Sequence, residues 1–248
     1  MNAMELNKRP SAAFADKLAK TADLLRKSAR QYSPLTQASS LGVEDMVVTH
    51  LLHELGLESE IFVLNTGMLH AETLALLETV KRRYGAERSV RVYEPDAKAA
   101  SDYVNRNGKE AMYQSIALRK ECCDIRKMEP LARALAGKNG WITGLRREQS
   151  PTRGEVLPIE QQAERVKINP LADWTWGDVW HYIAERQVPY NPLHDQFFPS
   201  IGCAPCTRAI ALGEDFRAGR WWWEDEAAKE CGLHVETVSR IIPIKEAA

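Results

Sequence analysis

The sequence predicts an α/β protein built on a doubly wound, mainly parallel sheet. Strand-length apolar runs alternate with helical periodicity along most of the chain, and the run EIFVLNT at 60–66 is apolar enough for a strand covered on both faces. The first helix is expected over 11–31, where Phe14, Leu18, Leu25 and Ala29 recur at helical spacing after Pro10 and Ser11. Residues 35–38 then read as a short strand running into SSLGVED, 46–55 as a helix and 60–66 as the buried strand. The unit repeats with a helix over 71–84, a strand over 89–93, a helical stretch from about 109 to 136 and a strand at 141–143. Asp173-Trp-Thr-Trp-Gly-Asp178 opens a further helix through about 186, and a proline-rich loop, NPLHDQFFPSIGCAPCT, follows it. One nucleotide-binding domain, 1–207, is expected to carry a C-terminal arm, 208–248. Ligands of such sheets sit beyond the carboxyl ends of the strands, so the loops at 39–45, 65–70 and 144–153 should share one rim.

With 248 residues, 44% of them hydrophobic, the chain can bury a core without metals or disulfides. Its 33 Lys and Arg balance 34 Asp and Glu to a net charge of −1, which argues against a dedicated nucleic-acid protein. No run reaches the roughly 18 apolar residues of a membrane span, and the N-terminus lacks the apolar centre of a signal peptide. The expectation is a cytoplasmic protein that engages neither nucleic acid nor membrane, with a homo-oligomer left open. In a reducing compartment its five cysteines read as metal ligands or reactive thiols.

Cys122 and Cys123 are adjacent, and Cys203 and Cys206 form C-x-x-C, so only the fold can unite the two pairs. Four thiolates suit Zn²⁺ or an iron–sulfur cluster. Adjacent cysteines chelate one ion awkwardly because their side chains diverge, which favours the separate iron corners of a [4Fe–4S] cluster; structural zinc and a redox dithiol stay open. Cys231 is the spare thiol, with His234 three residues on to favour its thiolate and Gly232 between them. Lys127, four residues after Cys123, lies one helical turn on and would set a positive charge beside cluster thiolates. His50, His53, His70, His181 and His194 are assigned no metal.

Lys120-Glu-Cys-Cys-Asp-Ile-Arg-Lys127, Gly202-Cys-Ala-Pro-Cys206 and Glu230-Cys-Gly-Leu-His234 together resemble the assimilatory adenylyl-sulfate reductases, within the larger family that includes the phosphoadenylyl-sulfate reductases. The likeness spans about 35–235 and implies an adenine nucleotide α-hydrolase-like fold. It implies one [4Fe–4S] cluster on Cys122, Cys123, Cys203 and Cys206, and Cys231 as the nucleophile. The thiolate would attack the sulfate sulfur of adenylyl sulfate, expel AMP and become an S-sulfocysteine, from which thioredoxin (or glutaredoxin) releases sulfite.

An anionic nucleotide needs cationic forks and backbone N–H groups. Ser39, Ser40 and Gly42 lie in a strand-to-helix loop that resembles the family's relative of the pyrophosphatase loop, without the Ser-Gly-Gly-x-Asp-Ser of ATP-splitting enzymes. Leu64-Asn65-Thr66-Gly67 resembles the family's Leu-Asp-Thr-Gly, with Asn65 where Asp is usual; Leu64 is expected at adenine. Gly144, Arg146, Arg147, Gln149, Ser150 and Arg153 resemble the family's arginine loop over the anionic groups. Arg217, Arg220 and Trp221 are implied to touch substrate, whereas Trp222 and Trp223 read as packing.

Two alternatives bound this reading. A 3′-phosphoadenylyl-sulfate reductase would use the same nucleophile but generally lacks the two cysteine pairs, and a zinc-stapled nucleotide-binding regulator would not need Cys231. An RNA-thiolating protein would need an ATP loop and a basic surface, neither of which is visible.

Overall fold

Residues 2–85 and 89–224 are described by a computed structural model. Six strands, β1 (Leu35–Ser39), β2 (Glu60–Leu64), β3 (Val90–Tyr93), β4 (Gly140–Ile142), β5 (Ile159–Gln162) and β6 (Arg165–Ile168), form one sheet in the order β3-β2-β1-β4-β6-β5. Five run parallel, and β5 returns antiparallel to β6. The helices are α1 (Ala3–Asn7), α2 (Phe14–Gln31), α3 (Val43–Glu54), α4 (Ala71–Tyr84), α5 (Ala97–Asn107), α6 (Ile116–Cys123), α7 (Glu129–Leu135) and α8 (Trp176–Arg186).

Side chains alternate across the strands and so feed two cores. Val63 and Ile142 point into the larger one with Met46, Val47, Leu51, Leu77, Trp174 and Trp180. Their neighbours Phe62 and Trp141 point the other way, onto Leu131 and Leu135 of α7. Both faces are covered, as the apolar run of β2 required.

Several boundaries differ from the sequence expectation for local reasons. β2 stops at Leu64 because the Asn65 side chain accepts the Gly67 N–H, and Gly67 takes φ 71° to turn the chain. The stretch expected as helix from 109 to 136 is a 3-10 turn (Ala111–Tyr113), then α6, a π turn (Asp124–Met128) and α7. Ser115 caps α6 by accepting the Leu118 N–H. Pro130 supplies no N–H to the carbonyl one turn back and crowds it, which widens the helix just before α7. Helix α5 and the hairpin of β5 and β6 had no apolar signal: α5 buries only Tyr103, and the hairpin holds an inward Lys167–Glu160 ion pair at 3.2 Å.

His50 of α3 lies in the larger core with its Nδ1 3.0 Å from the Tyr182 hydroxyl. Burial pushes its pKa down from 6.5 to about 4. Between those values the unfolded chain binds a proton that the folded chain refuses, so acidification through the window removes stability. The loss from this one residue between pH 7 and pH 5 is about 2 kcal/mol. His50→Gln should shrink the pH 7 to pH 5 difference in urea-unfolding stability by that amount; an unchanged difference would mean that His50 titrates normally.

Candidate functional site

Strand order reverses between β1 and β4, so the loops that follow them diverge and open a crevice at their carboxyl ends. A cavity of about 210 Å³ fills that crevice, and the loops after β1, β2 and β4 all contribute to its wall. The expected common rim is therefore present.

Asp45, in the first turn of α3, staples two of these loops. Its Oδ2 accepts from the Ser40 N–H (2.7 Å) and hydroxyl (2.6 Å), and its Oδ1 accepts from the Gly144 N–H at 3.0 Å. Burial raises its pKa to about 6 against these hydrogen bonds, which lower it. A Cβ on Gly144 would lie 2.6 Å from the Asp45 carboxylate and 2.9 Å from the Glu44 Cβ, so only glycine lets the loop close this tightly. Within the first loop the Leu41 N–H reaches the Ser39 hydroxyl and the Gly42 N–H reaches that of Ser40, at 3.2 and 3.3 Å, while Leu41 itself takes φ 61°.

The arginine loop divides into two roles. Arg153 and Gln149 line the cavity, but Arg146 lies behind its wall, almost fully buried. Arg146 Nε and Nη2 both donate to Glu44 Oε1, at 3.1 and 3.0 Å, and its Nη1 reaches the Trp174 carbonyl. Glu44 Oε1 also accepts from Gln149 Nε2 at 2.9 Å, and Gln149 Oε1 in turn accepts from Arg153 Nη1 at 2.7 Å. The chain Arg146–Glu44–Gln149–Arg153 thus fixes the one guanidinium of this loop that faces the cavity. Arg147 pairs instead with Asp173 and the Val156 carbonyl, and neither it nor Ser150 reaches the wall.

Ser39, Ser40, Gly42, Leu64, Thr66, Lys127, Gly144, Arg217, Arg220 and Trp221 all line the cavity. Gly67 does not. Asn65, at the departure from the family motif, donates to Glu94 at 2.8 Å, a partner that an aspartate would repel. Trp221 is buried with the Arg119 and Arg220 guanidinium carbons 4.8 and 4.7 Å from its ring centre. Arg220 Nε is buried without a hydrogen-bond partner among the described residues. Trp223 packs on Tyr113 with ring centres 4.5 Å apart, as expected of a packing residue, while Trp222 is partly exposed.

Beside the crevice the fold brings the two cysteine pairs together. Cys122, Cys123, Cys203 and Cys206 line one small cavity with Arg119, Arg126 and Lys127, and Cys203 and Lys127 also line the large one. Three contacts set this apposition: the Ala204 N–H donates to the Met68 carbonyl at 2.7 Å, Thr66 Oγ1 lies 3.2 Å from Cys203 Sγ, and Arg126 Nη1 donates to the Thr66 carbonyl at 2.8 Å. Burial and the neighbouring thiols push Cys122 up to about 11 and Cys206 to about 12. Among the described residues no three His, Cys, Asp or Glu side chains form a ligand group for a metal ion; the thiols stand around the cavity wall. The described part of the C-terminal arm is tied to this corner by the Trp221 N–H on the Cys206 carbonyl and by a buried ion pair, Arg119–Glu224, at 2.7 Å. Cys231 and His234 lie outside the described residues.

Glu44, Asp45 and His194 also line the cavity, and no expectation from the sequence places them there. The two acids had a signal, their place in the first turn after the loop; His194 had none. Its ring is buried and its pKa is lowered to about 4 by that burial.

The profile of the phosphoadenosine phosphosulfate reductase domain matches residues 34–209. Over 214 residues the chain is 52% identical to the adenosine 5′-phosphosulfate reductase of Allochromatium vinosum, covering 86% of this chain and 83% of that one. It is 50% identical over 230 residues to the protein of the same name from Burkholderia cepacia, covering 92% and 91%. Among solved structures it resembles the phosphoadenylyl-sulfate reductase of Candida auris in its phosphate complex, with a TM-score of 0.65 at 25% identity over 75% of this chain and 88% of that one. A Candida glabrata FMN adenylyltransferase, with a TM-score of 0.57 at 15% identity over 95% and 80%, shares the fold alone.

Proposed function

The chain belongs to the phosphoadenosine phosphosulfate reductase domain family, and on that premise we propose that it reduces adenylyl sulfate to sulfite and AMP in the cytoplasm, with thioredoxin as the dithiol reductant. The reading rests on the joined pair of cavities: a crevice beyond the carboxyl ends of the strands whose cationic wall, Lys127, Arg153, Arg217 and Arg220, meets a four-thiol site at Lys127 and Cys203. Guanidinium forks suit phosphate and sulfate, and Arg153, Arg217 and Arg220 bring three of them to the cavity wall.

Cys231 would attack the sulfate sulfur. As its Sγ bonds to that sulfur, the bond from sulfur to the bridging oxygen breaks and AMP leaves with the electron pair. A reductant thiolate then attacks Cys231 Sγ, sulfite departs with the S–S bonding electrons, and the second thiol of the dithiol resolves the mixed disulfide. Two electrons come from the dithiol, and Cys231 returns as a thiolate.

The four buried thiols are the donor set that a [4Fe–4S] cluster takes, and Cys122, Cys123, Cys203 and Cys206 would hold one. When bound, that group supplies a compact negative charge that organises the neighbouring cations. Lys127, on the boundary between the cavities, would offset this charge toward an anionic substrate.

The test is sulfite formation by anaerobically purified protein, from adenylyl sulfate and from its 3′-phosphorylated form, alongside iron, acid-labile sulfide and zinc per chain. Turnover of adenylyl sulfate with about four irons and four sulfides is expected. Preference for the 3′-phosphorylated nucleotide would overturn the substrate, and zinc without sulfide would overturn the cofactor. Gln149→Leu should weaken AMP binding about tenfold by removing the Gln149 Oε1 acceptor that helps to position the Arg153 guanidinium, measured by calorimetry; unaltered affinity would break the proposed relay.

A further inference from the structure

We propose that Gly202 is a positioning residue: its missing side chain leaves the space in which the Arg220 guanidinium is held at the cavity wall to meet an anionic oxygen of the substrate. This inference rests on the nucleotide reading above and adds a residue to it. Both residues line the crevice. A Cβ at Gly202 would meet the Arg220 guanidinium before anything else, its three nearest atoms being Nη2, then Cζ at 2.6 Å and Nη1 at 3.0 Å. The backbone itself does not require this glycine. Its φ lies outside the left-handed region, so an alanine would fit the chain there and would lose less entropy on folding. What the position needs is the space.

The guanidinium is held by other neighbours as well. Its carbon stands 4.7 Å from the Trp221 ring centre, and Nη1 donates to the Ile201 carbonyl at 3.3 Å and to the Ser200 hydroxyl at 3.5 Å. Nε is buried without an acceptor, so among the described residues only Nη1 is paired, and Nη2 remains for an anion in the cavity. Nη2 is also the atom nearest the missing Cβ. Main-chain ties keep the two residues from moving apart. Thr207 and Arg220 pair as an antiparallel bridge, the Trp221 N–H donates to the Cys206 carbonyl at 3.2 Å, and the Gly202 N–H donates to the Thr207 hydroxyl at 3.1 Å. A methyl group at Gly202 would therefore swing the guanidinium aside, because that flexible end gives way more easily than the tied main chain.

The experiment measures kcat/KM for sulfite formation from adenylyl sulfate, melting temperature and iron per chain in the full-length wild type, Gly202→Ala, Arg220→Ala and the double variant. Each single variant should lose about tenfold in kcat/KM at wild-type iron content. The double variant should be no worse than Arg220→Ala, because the substitution at Gly202 acts only through the group it displaces. Losses that multiply in the double variant would overturn the proposal, as would wild-type kcat/KM in Gly202→Ala. Where Gly202→Ala melts lower or holds less iron, removing the guanidinium in the double variant should restore both. A defect that persists there would place the obstruction in the cysteine turn itself and overturn the proposal. No sulfite from the wild type would instead sink the functional reading on which the proposal stands.

Discussion

Cys231→Ser is expected to abolish sulfite formation from adenylyl sulfate, by about 10⁴-fold or more, while AMP binding should stay within about threefold of the wild type. The asymmetry follows from the chemistry. A serine hydroxyl is overwhelmingly protonated at neutral pH and cannot form the thiol-labile S–S bond from which sulfite is released. The cavity wall, in contrast, is built from other residues, on loops that Asp45 and the Glu44–Gln149 relay hold in place. Sulfite release with the thioredoxin system and AMP calorimetry on one preparation check both halves. Residual turnover above about 1% of wild type would remove Cys231 from the mechanism, whereas loss of AMP binding would place it in the nucleotide site.

The second large effect is on stability. Arg119 and Glu224 are both nearly inaccessible, joined by two hydrogen bonds at 2.9 and 2.7 Å, with the Arg119 guanidinium also over Trp221. Arg119→Met strands the Glu224 carboxylate in a buried site and should cost about 3–5 kcal/mol in urea unfolding. The double variant Arg119→Met with Glu224→Leu removes the uncompensated charge and should recover most of that loss. A single-variant loss below about 1 kcal/mol would show that the pair is solvated in solution. Because the pair joins α6, which ends in Cys122 and Cys123, to the arm that leads to Cys231, the single variant should also slow sulfite formation; the double variant separates the loss of fold from the loss of this tie.

Much of the architecture is set by residues close together in the chain. The 71–84 helix appears over the expected residues, and the loops expected to share a rim do so, because period, caps and turn residues act over a few positions. The polar elements were silent for the same reason. Helix α5 buries one residue, and the β5–β6 hairpin turns Lys167 and Glu160 inward as a pair, which no hydrophobic pattern records. Asn65 became intelligible only beside Glu94, twenty-nine positions away.

Periodicity, turn residues and motif order already specify the alternation of strands and helices, the strand-ending loops and the succession of cysteine motifs. Only the packed fold brings Cys122 and Cys123 to Cys203 and Cys206, turns Arg153 to the cavity with Arg146 behind it and Arg147 toward Asp173, and buries His194 in the same wall. The division has a physical cause. Local backbone preference is fixed by neighbours in the chain, whereas the direction and protonation of a side chain depend on which distant element buries it and which charges that element brings.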